Sequence, residues 1–145
     1  MASLKDVLLD DSKKSDVVDA CCKLIDEEVE DKGGISGFAI KAGYGVVKGV
    51  KPGFVKKVVG DLLPEFVNAL EPTYQQAKTD GKPIAGYFES QKSQVADALL
   101  AITDAKAAKA SGAVKSAYDK LRGSAKKNVE AAVPRLGALV QRFDA

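Results

Sequence analysis

Lysines alternate with glycines along one side of the segment 35–50, where the sequence could bind an anionic group. If this segment is helical, one strip of its surface contains Gly37, Lys41, Gly45, Lys48 and, at its margin, Lys51. In one interpretation the glycines let a neighbouring helix or loop cross closely, and the lysine stems extend past it. In the other, the strip receives an anionic group or a partner helix. The sequence leaves both open.

A second set of basic side chains lies near the C-terminal end of the chain, and we predict that it forms a basic helix face. Its members are Lys115, Lys120, Arg122, Lys126 and Lys127. Nucleic acid is not an expected partner, because no helix-turn-helix spacing or interleaved aromatic residues accompany these cations. A sequence pI of about 8.4 is also modest for such a role. A protein partner or an anionic amphiphile remains a candidate.

The chain has no histidine, which removes the commonest general base and the usual metal ligand. Cys21 and Cys22 lie on or beside an apolar helix stripe, so we interpret them as core residues. Nearby acids would raise a thiol pKa, which argues against a reactive cysteine. The glycines from Gly43 to Gly49 imitate a dinucleotide motif, but no strand precedes them. We therefore expect no enzyme, no catalytic residue, no metal and no cofactor.

The segment 35–50 is also the candidate central element of the fold. Drawn as a helix, it is apolar over about two thirds of its circumference. A helix with so wide an apolar surface is expected to be enclosed by neighbours. Gly43 falls inside the apolar arc and predicts a close helix contact.

Amphipathic helical patterns fill the rest of the sequence. Pro64 predicts a kink or a new helix start, and Gly123 predicts a helix end. The stretch from Thr79 to Pro83 is the clearest loop, although each side of it leaves an apolar stripe that needs the other. The fold class predicted is therefore all-α: one domain over residues 1–145, a bundle of about six or seven helices around the segment 35–50.

Charge is distributed in alternating blocks, although the formal net charge is only +2. Residues 1–31 hold ten acids and four bases, whereas residues 32–60 hold six lysines and no acid. Residues 61–104 hold seven acids and three bases, and residues 105–145 hold three acids and nine bases. Such blocks can complement one another across helix interfaces, or leave a basic face for a partner. We favour internal complementarity.

The start of the chain lacks the apolar core of a signal peptide, and no window approaches about 18 uncharged apolar residues. We therefore expect a cytoplasmic protein without a transmembrane segment. Adjacent helical cysteines diverge by about 100°, so a disulfide between them would be strained and reduced thiols fit better. Monomer and homodimer are both compatible with the sequence.

Several runs resemble a family of small uncharacterised bacterial proteins, chiefly actinobacterial. The similar runs are Gly33 to Tyr44, Lys51-Pro-Gly-Phe-Val55, Leu62-Leu-Pro-Glu-Phe66, Ala117 to Lys127 and Val133-Pro-Arg-Leu-Gly137. The resemblance covers nearly the whole chain and implies a bacterial cytoplasmic protein. It assigns no activity to any residue.

Three hypotheses for function follow from the sequence. The first is a non-catalytic helical protein that binds a partner through its basic helix faces. The alternative is a carrier or sequestering protein for a lipid-like, amphipathic anionic small molecule, because small residues could leave a cavity beside the lysines. A third is peripheral membrane binding through the amphipathic segment 54–59, Phe-Val-Lys-Lys-Val-Val.

Overall fold

A computed structural model describes residues 3–32, 34–49, 53–110 and 112–144, and excludes the side chains of residues 34–36. These ranges contain seven α-helices and no strand, which confirms the all-α prediction. The helices are α1 (Leu4–Leu8), α2 (Lys14–Glu30), α3 (Gly34–Lys48), α4 (Phe54–Thr79), α5 (Ile84–Ser90), α6 (Lys92–Ala107) and α7 (Gly112–Asp144). The predicted loop after Thr79 is present, with Gly81 in the left-handed region at φ 66°.

Helices α4 and α7 hold the bundle together, because each of them packs against α1, α2, α3, α5 and α6. The buried side chains of α4 recur every three or four residues along one stripe, from Val59 through Val67 and Tyr74 to Ala77. The core joins this stripe to residues of α1, α2, α5, α6 and α7, so it draws on both sides of the loop after Thr79.

Of the two possibilities predicted at Pro64, the new helix start is wrong, because α4 continues through both Pro64 and Pro72, whereas the kink stays a prediction. On a helical wheel the two prolines lie about 100° and 180° away from the buried stripe. A proline on the outer side removes a hydrogen bond where water can replace it, so the helix is interrupted less than its sequence suggests. The helix end predicted at Gly123 is also wrong. Gly123 is exposed within the 33 residues of α7.

The central position predicted for the segment 35–50 is wrong as well. Helix α3 lies at the periphery, where Phe38 is 77% exposed and Val46 is 48% exposed. Its inner side contacts α7, α2 and α4, while the opposite side faces solvent. The apolar periodicity correctly predicts a helix, but the neighbours cover only part of its circumference. The close contact predicted at Gly43 is confirmed: a β-carbon there would lie 2.9 Å from Leu121 Cδ1.

Helix α7 is held tightly by α5 at its C-terminal end. A β-carbon at Gly137 would lie only 3.0 Å from the Cα atom of Ala85 and 3.1 Å from Phe88 Cβ. The absence of a side chain at Gly137 therefore lets α5 cross α7 at close range. Ala85 N–H also donates a hydrogen bond to Gln141 Oε1 at 3.1 Å.

Ion pairs join the charge blocks across helix interfaces, as the complementarity interpretation predicts. The acidic α2 pairs with basic residues elsewhere: Asp19 with Lys56 at 3.0 Å, and Glu28 with Arg135 at 2.9 Å. The basic start of α7 pairs with α6, since Arg122 contacts Asp104 at 2.8 Å. Exposed pairs of this kind each contribute little to stability, but they neutralise much of the basic surface.

Candidate ligand-binding cavity

A largely apolar cavity of about 640 Å³ lies between α3, the first half of α4, the end of α6 and the first half of α7. Its apolar wall consists of Ile25, Val47, Phe54, Val55, Val58, Val59, Leu62, Phe66, Ala107, Ala110, Val114 and Leu121, with the rings of Tyr44 and Tyr118. Small and β-branched side chains predominate. They leave space between the helices that bulkier residues would have filled.

The cavity reaches the surface at a rim of charged residues. Lys57, Asp61, Lys106 and Lys109 line it and are all exposed. Lys57 Nζ pairs with Asp61 Oδ2 at 2.9 Å. This hydrogen bond is the main cause that lowers the pKa of Asp61, and the charge of Lys106 adds to it. Three cations and one carboxylate give the rim a formal charge of +2.

The two tyrosines present rings to the cavity and direct their hydroxyl groups to carboxylates. Tyr44 Oη donates to Asp26 at 2.6 Å, and Tyr118 Oη donates to Asp104. Burial is the main cause that raises the pKa of both phenols, and the hydrogen bonds to the carboxylates raise it further. Both phenols therefore stay neutral at physiological pH. Their hydroxyl groups are already satisfied, which leaves the wall apolar.

The volume and the apolar lining of the cavity fall within the range of small-molecule binding sites. Binding sites for small molecules commonly have volumes of about 300–1,000 Å³, mostly apolar walls and a few polar groups that fix orientation. Among the described residues, no group of three or more histidine, cysteine or acidic side chains is placed to hold a metal ion. No buried polar side-chain atom in that part of the chain lacks a hydrogen-bond partner.

The described residues of the predicted lysine strip lie in different surroundings. Gly37 is buried, where a β-carbon would lie 2.6 Å from the carbonyl of Lys32, as the close-crossing interpretation expects. Lys41 and Gly45 are exposed, and a β-carbon at Gly45 would have no neighbour within 4 Å. Lys48 pairs with Asp26 at 3.5 Å. Lys51 lies outside the described residues. None of the four described residues of the strip lines the cavity.

The predicted basic face on α7 is largely neutralised. Lys115 pairs with Asp119 at 3.6 Å, and Lys126 pairs with Asp97 at 3.2 Å. Arg122 makes two hydrogen bonds to Asp104, which are the main cause of the raised pKa of the guanidinium. Lys120 and Lys127 are exposed and have no ion pair among the described residues. An open depression beside Gly112 also contacts Lys115 and Lys120.

The two cysteines pack against the core, as predicted, and neither forms a disulfide. Burial raises the pKa of the Cys21 thiol to about 11, and the adjacent Cys22 adds to the effect. Burial, followed by the charges of Asp19 and Asp26, also raises the pKa of Cys22. Both thiols stay protonated near neutral pH and are poor nucleophiles.

Sequence reasoning missed most of the cavity residues because they resemble ordinary core positions. The segment 54–59, for which peripheral membrane binding stays a prediction, contributes apolar side chains to the cavity. Phe54, Val55 and Val58 line the cavity, and Val59 is buried. A usable signal was the small size of several apolar residues around the cavity, such as Val58, Ala107 and Ala110.

The fold and cavity define a small all-α protein with an apolar cavity that opens to the surface at a cationic rim. In the described ranges no helix is both long enough and apolar enough to cross a membrane. The chain belongs to a family of unknown function, DUF6918, whose model matches residues 4–144. No curated protein and no solved structure matches it.

Proposed function

We propose that this protein binds an amphipathic anionic small molecule of the fatty-acid type, with the apolar tail in the cavity and the anionic head at its rim. The observation that carries the proposal is the combination of an apolar chamber of about 640 Å³ with three lysines around its mouth. Catalysis is not part of the proposal. A bacterial, cytoplasmic setting agrees with the resemblance drawn from the sequence.

The tail is expected to bind because the chamber wall offers almost only carbon atoms. Burying apolar surface stabilises a complex by about 25 cal/mol per Å² of area removed from water. The hydroxyl groups of Tyr44 and Tyr118 already bond to carboxylates, so they do not compete for a polar ligand. A neutral polar ligand would lose its hydrogen bonds to water and gain few in return.

The head group is expected to be anionic because positive charge exceeds negative charge at the rim. Lys57 is already paired with Asp61, whereas Lys106 and Lys109 have no ion pair among the described residues. Lys106 lies in the last turn of α6 and Lys109 in the turn that follows the helix, and both line the cavity. We expect the ammonium groups of these two lysines to bind the carboxylate or phosphate of the ligand.

Partner binding through the basic helix faces ranks second in this proposal. The ion pairs of Lys115, Arg122 and Lys126 reduce the charge that the α7 face can offer. No comparable neutralisation affects Lys106 and Lys109 within the described ranges. A protein partner and the choice between monomer and homodimer therefore remain predictions.

A direct test measures ligand binding by the purified full chain. Palmitate and its uncharged analogue hexadecanol are titrated against a fluorescent fatty acid bound to the protein. Palmitate should displace the probe at lower concentration than hexadecanol, because only palmitate presents a carboxylate to the rim. Native mass spectrometry of protein purified from cells should also show an additional bound mass.

Matched variants separate the cavity from the rim. Val58→Trp fills the chamber and should weaken palmitate binding by tenfold or more, whereas Val46→Trp on the exposed side of α3 should not. Replacing Lys106 and Lys109 by glutamate should weaken palmitate binding by roughly tenfold and leave hexadecanol unaffected. Equal binding of palmitate by Val58→Trp and the wild type would refute the cavity as the site.

A further inference from the structure

Helix α3 has an exposed apolar ridge on the side that faces away from the cavity. Phe38 and Val46, 77% and 48% exposed, are the large exposed hydrophobic side chains of the described residues. Together with Ala42 they are spaced by four residues, so they form one continuous ridge along the helix. Single exposed apolar residues are normal on protein surfaces, but an aligned set marks an interaction surface.

Lysines flank one side of this ridge, and helix α3 itself has no acidic residue. Lys41 is exposed and has no ion pair within the described ranges. Lys48 shares the same edge and pairs with Asp26 at 3.5 Å, with 53% of its side chain still exposed. No acidic residue occurs in the segment 32–60. The outer face of α3, meaning Phe38, Lys41, Ala42, Val46 and Lys48, is therefore both apolar and cationic.

We infer that the outer face of α3 docks on the surface of an anionic lipid bilayer. An amphipathic helix with an aromatic anchor and basic residues at its edge lies in the interface plane, where apolar burial and attraction to anionic lipids act together. Pairing with a second copy of the chain fits less well. It would bring together two faces whose charged residues are all lysines.

Docking in this orientation would bring the cavity close to the bilayer. The opposite side of α3 contributes Tyr44 and Val47 to the cavity wall. One helix diameter, about 10 Å, would then separate the membrane surface from the chamber. The docking depends only on the outer face of α3 and goes beyond the proposed ligand binding. It would hold even if the cavity bound no palmitate.

Vesicle sedimentation with the ligand-free full chain tests this inference. The protein should sediment with vesicles containing phosphatidylglycerol and stay in solution with pure phosphatidylcholine, and added salt should release it. Phe38→Ser should weaken binding tenfold or more, whereas Phe38→Leu should retain most of it. Lys41→Gln should weaken binding about fivefold.

Two further variants complete the design. Lys92→Gln removes an exposed lysine from α6 and should change binding less than twofold. Val58→Trp should bind vesicles as the wild type does, which separates failure of docking from failure of ligand binding. Equal affinity for the two vesicle types, or equal losses for Lys41→Gln and Lys92→Gln, would overturn the inference. So would a dimer in solution that Phe38→Ser dissociates, since the face would then join two copies.

Discussion

The two halves of the long helices α4 and α7 have opposite packing. Their first halves, near Val58 and Val114, enclose the cavity together with α3 and the end of α6. Their second halves pack tightly with α1 and α5, where Tyr74, Phe88 and Val140 are fully buried. We refer to these regions as the cavity half and the packed half. The same pair of helices thus supplies a hollow region and a solid one.

The difference arises from what lies between the helices. In the packed half, Gly137 lets α5 approach α7, and the carboxylate of Glu71 accepts hydrogen bonds from the Leu4 N–H at the start of α1. In the cavity half, α3 takes the place that α1 and α5 have in the packed half. Its Phe38 side chain, however, lies on the outer side of the bundle. A binding function needs only one of the two halves to be open, and the other can provide most of the stability.

The largest contrast is expected from removing one aromatic ring in each half. Phe88→Ala should lower the free energy of unfolding by about 3–5 kcal/mol, because it leaves a void in a tightly packed core. Phe66→Ala should cost roughly 1–2 kcal/mol, since that ring is only partly buried and already borders empty space. Urea unfolding followed by circular dichroism measures both. Equal losses would show that the halves do not differ in packing.

A smaller effect is expected at the close crossing of α5 and α7. Gly137→Val should destabilise the protein by about 1–3 kcal/mol, because its side chain would collide with the backbone of Ala85. Gly45→Val on the open side of α3 is the matched control and should change stability by less than about 1 kcal/mol. Thermal unfolding of the two variants provides the comparison. A neutral Gly137→Val would mean that α5 is free to move away.

Acid should weaken the packed half through Asp144. Burial acts to raise the pKa of this carboxyl group, but hydrogen bonds from Lys78 and Tyr74 outweigh it and hold the pKa below its usual value. A depressed folded-state pKa stabilises the protein above the unfolded-state value of about 3.9, and the stabilisation is lost as the pH falls through the folded-state pKa.

Asp144→Asn should therefore cost about 1–3 kcal/mol at neutral pH, and the difference from the wild type should shrink below about pH 4. Urea unfolding at a series of pH values measures this. The exposed Asp119→Asn, which loses an α7 surface pair with Lys115, should have little effect at any pH. A cost for Asp144→Asn that persists unchanged at low pH would contradict the assignment.

The smallest effect is expected from filling the chamber. Val58→Trp should change the free energy of unfolding by less than about 1 kcal/mol, because the cavity has room for the larger ring. Val140→Trp in the packed half should cost about 1–3 kcal/mol or more by overpacking. Differential scanning calorimetry distinguishes the two. A large loss for Val58→Trp would indicate that the chamber is narrower than its volume implies.

Much of the fold could be predicted from the sequence, and the candidate site could not. Amphipathic periodicity located helices throughout, and Gly43 was correctly assigned to a close contact with a neighbouring helix. Proline and glycine rules misplaced a possible helix start at Pro64 and a helix end at Gly123, because neither residue belongs to the buried stripe of its helix and both helices continue. The cavity was missed since an apolar side chain has the same sequence signature whether it faces a neighbour or a void.

The sequence by itself determined the all-α class, the loop after Thr79 and the charge blocks that pair across the helices, because these depend on local periodicity, turn chemistry and composition. Only the tertiary structure decided that α4 and α7 join the other helices and that α3 lies at the periphery. A helical wheel records which side of a helix is apolar, but not how many neighbours cover it. For the same reason only the packing revealed the chamber, and with it the function that we propose.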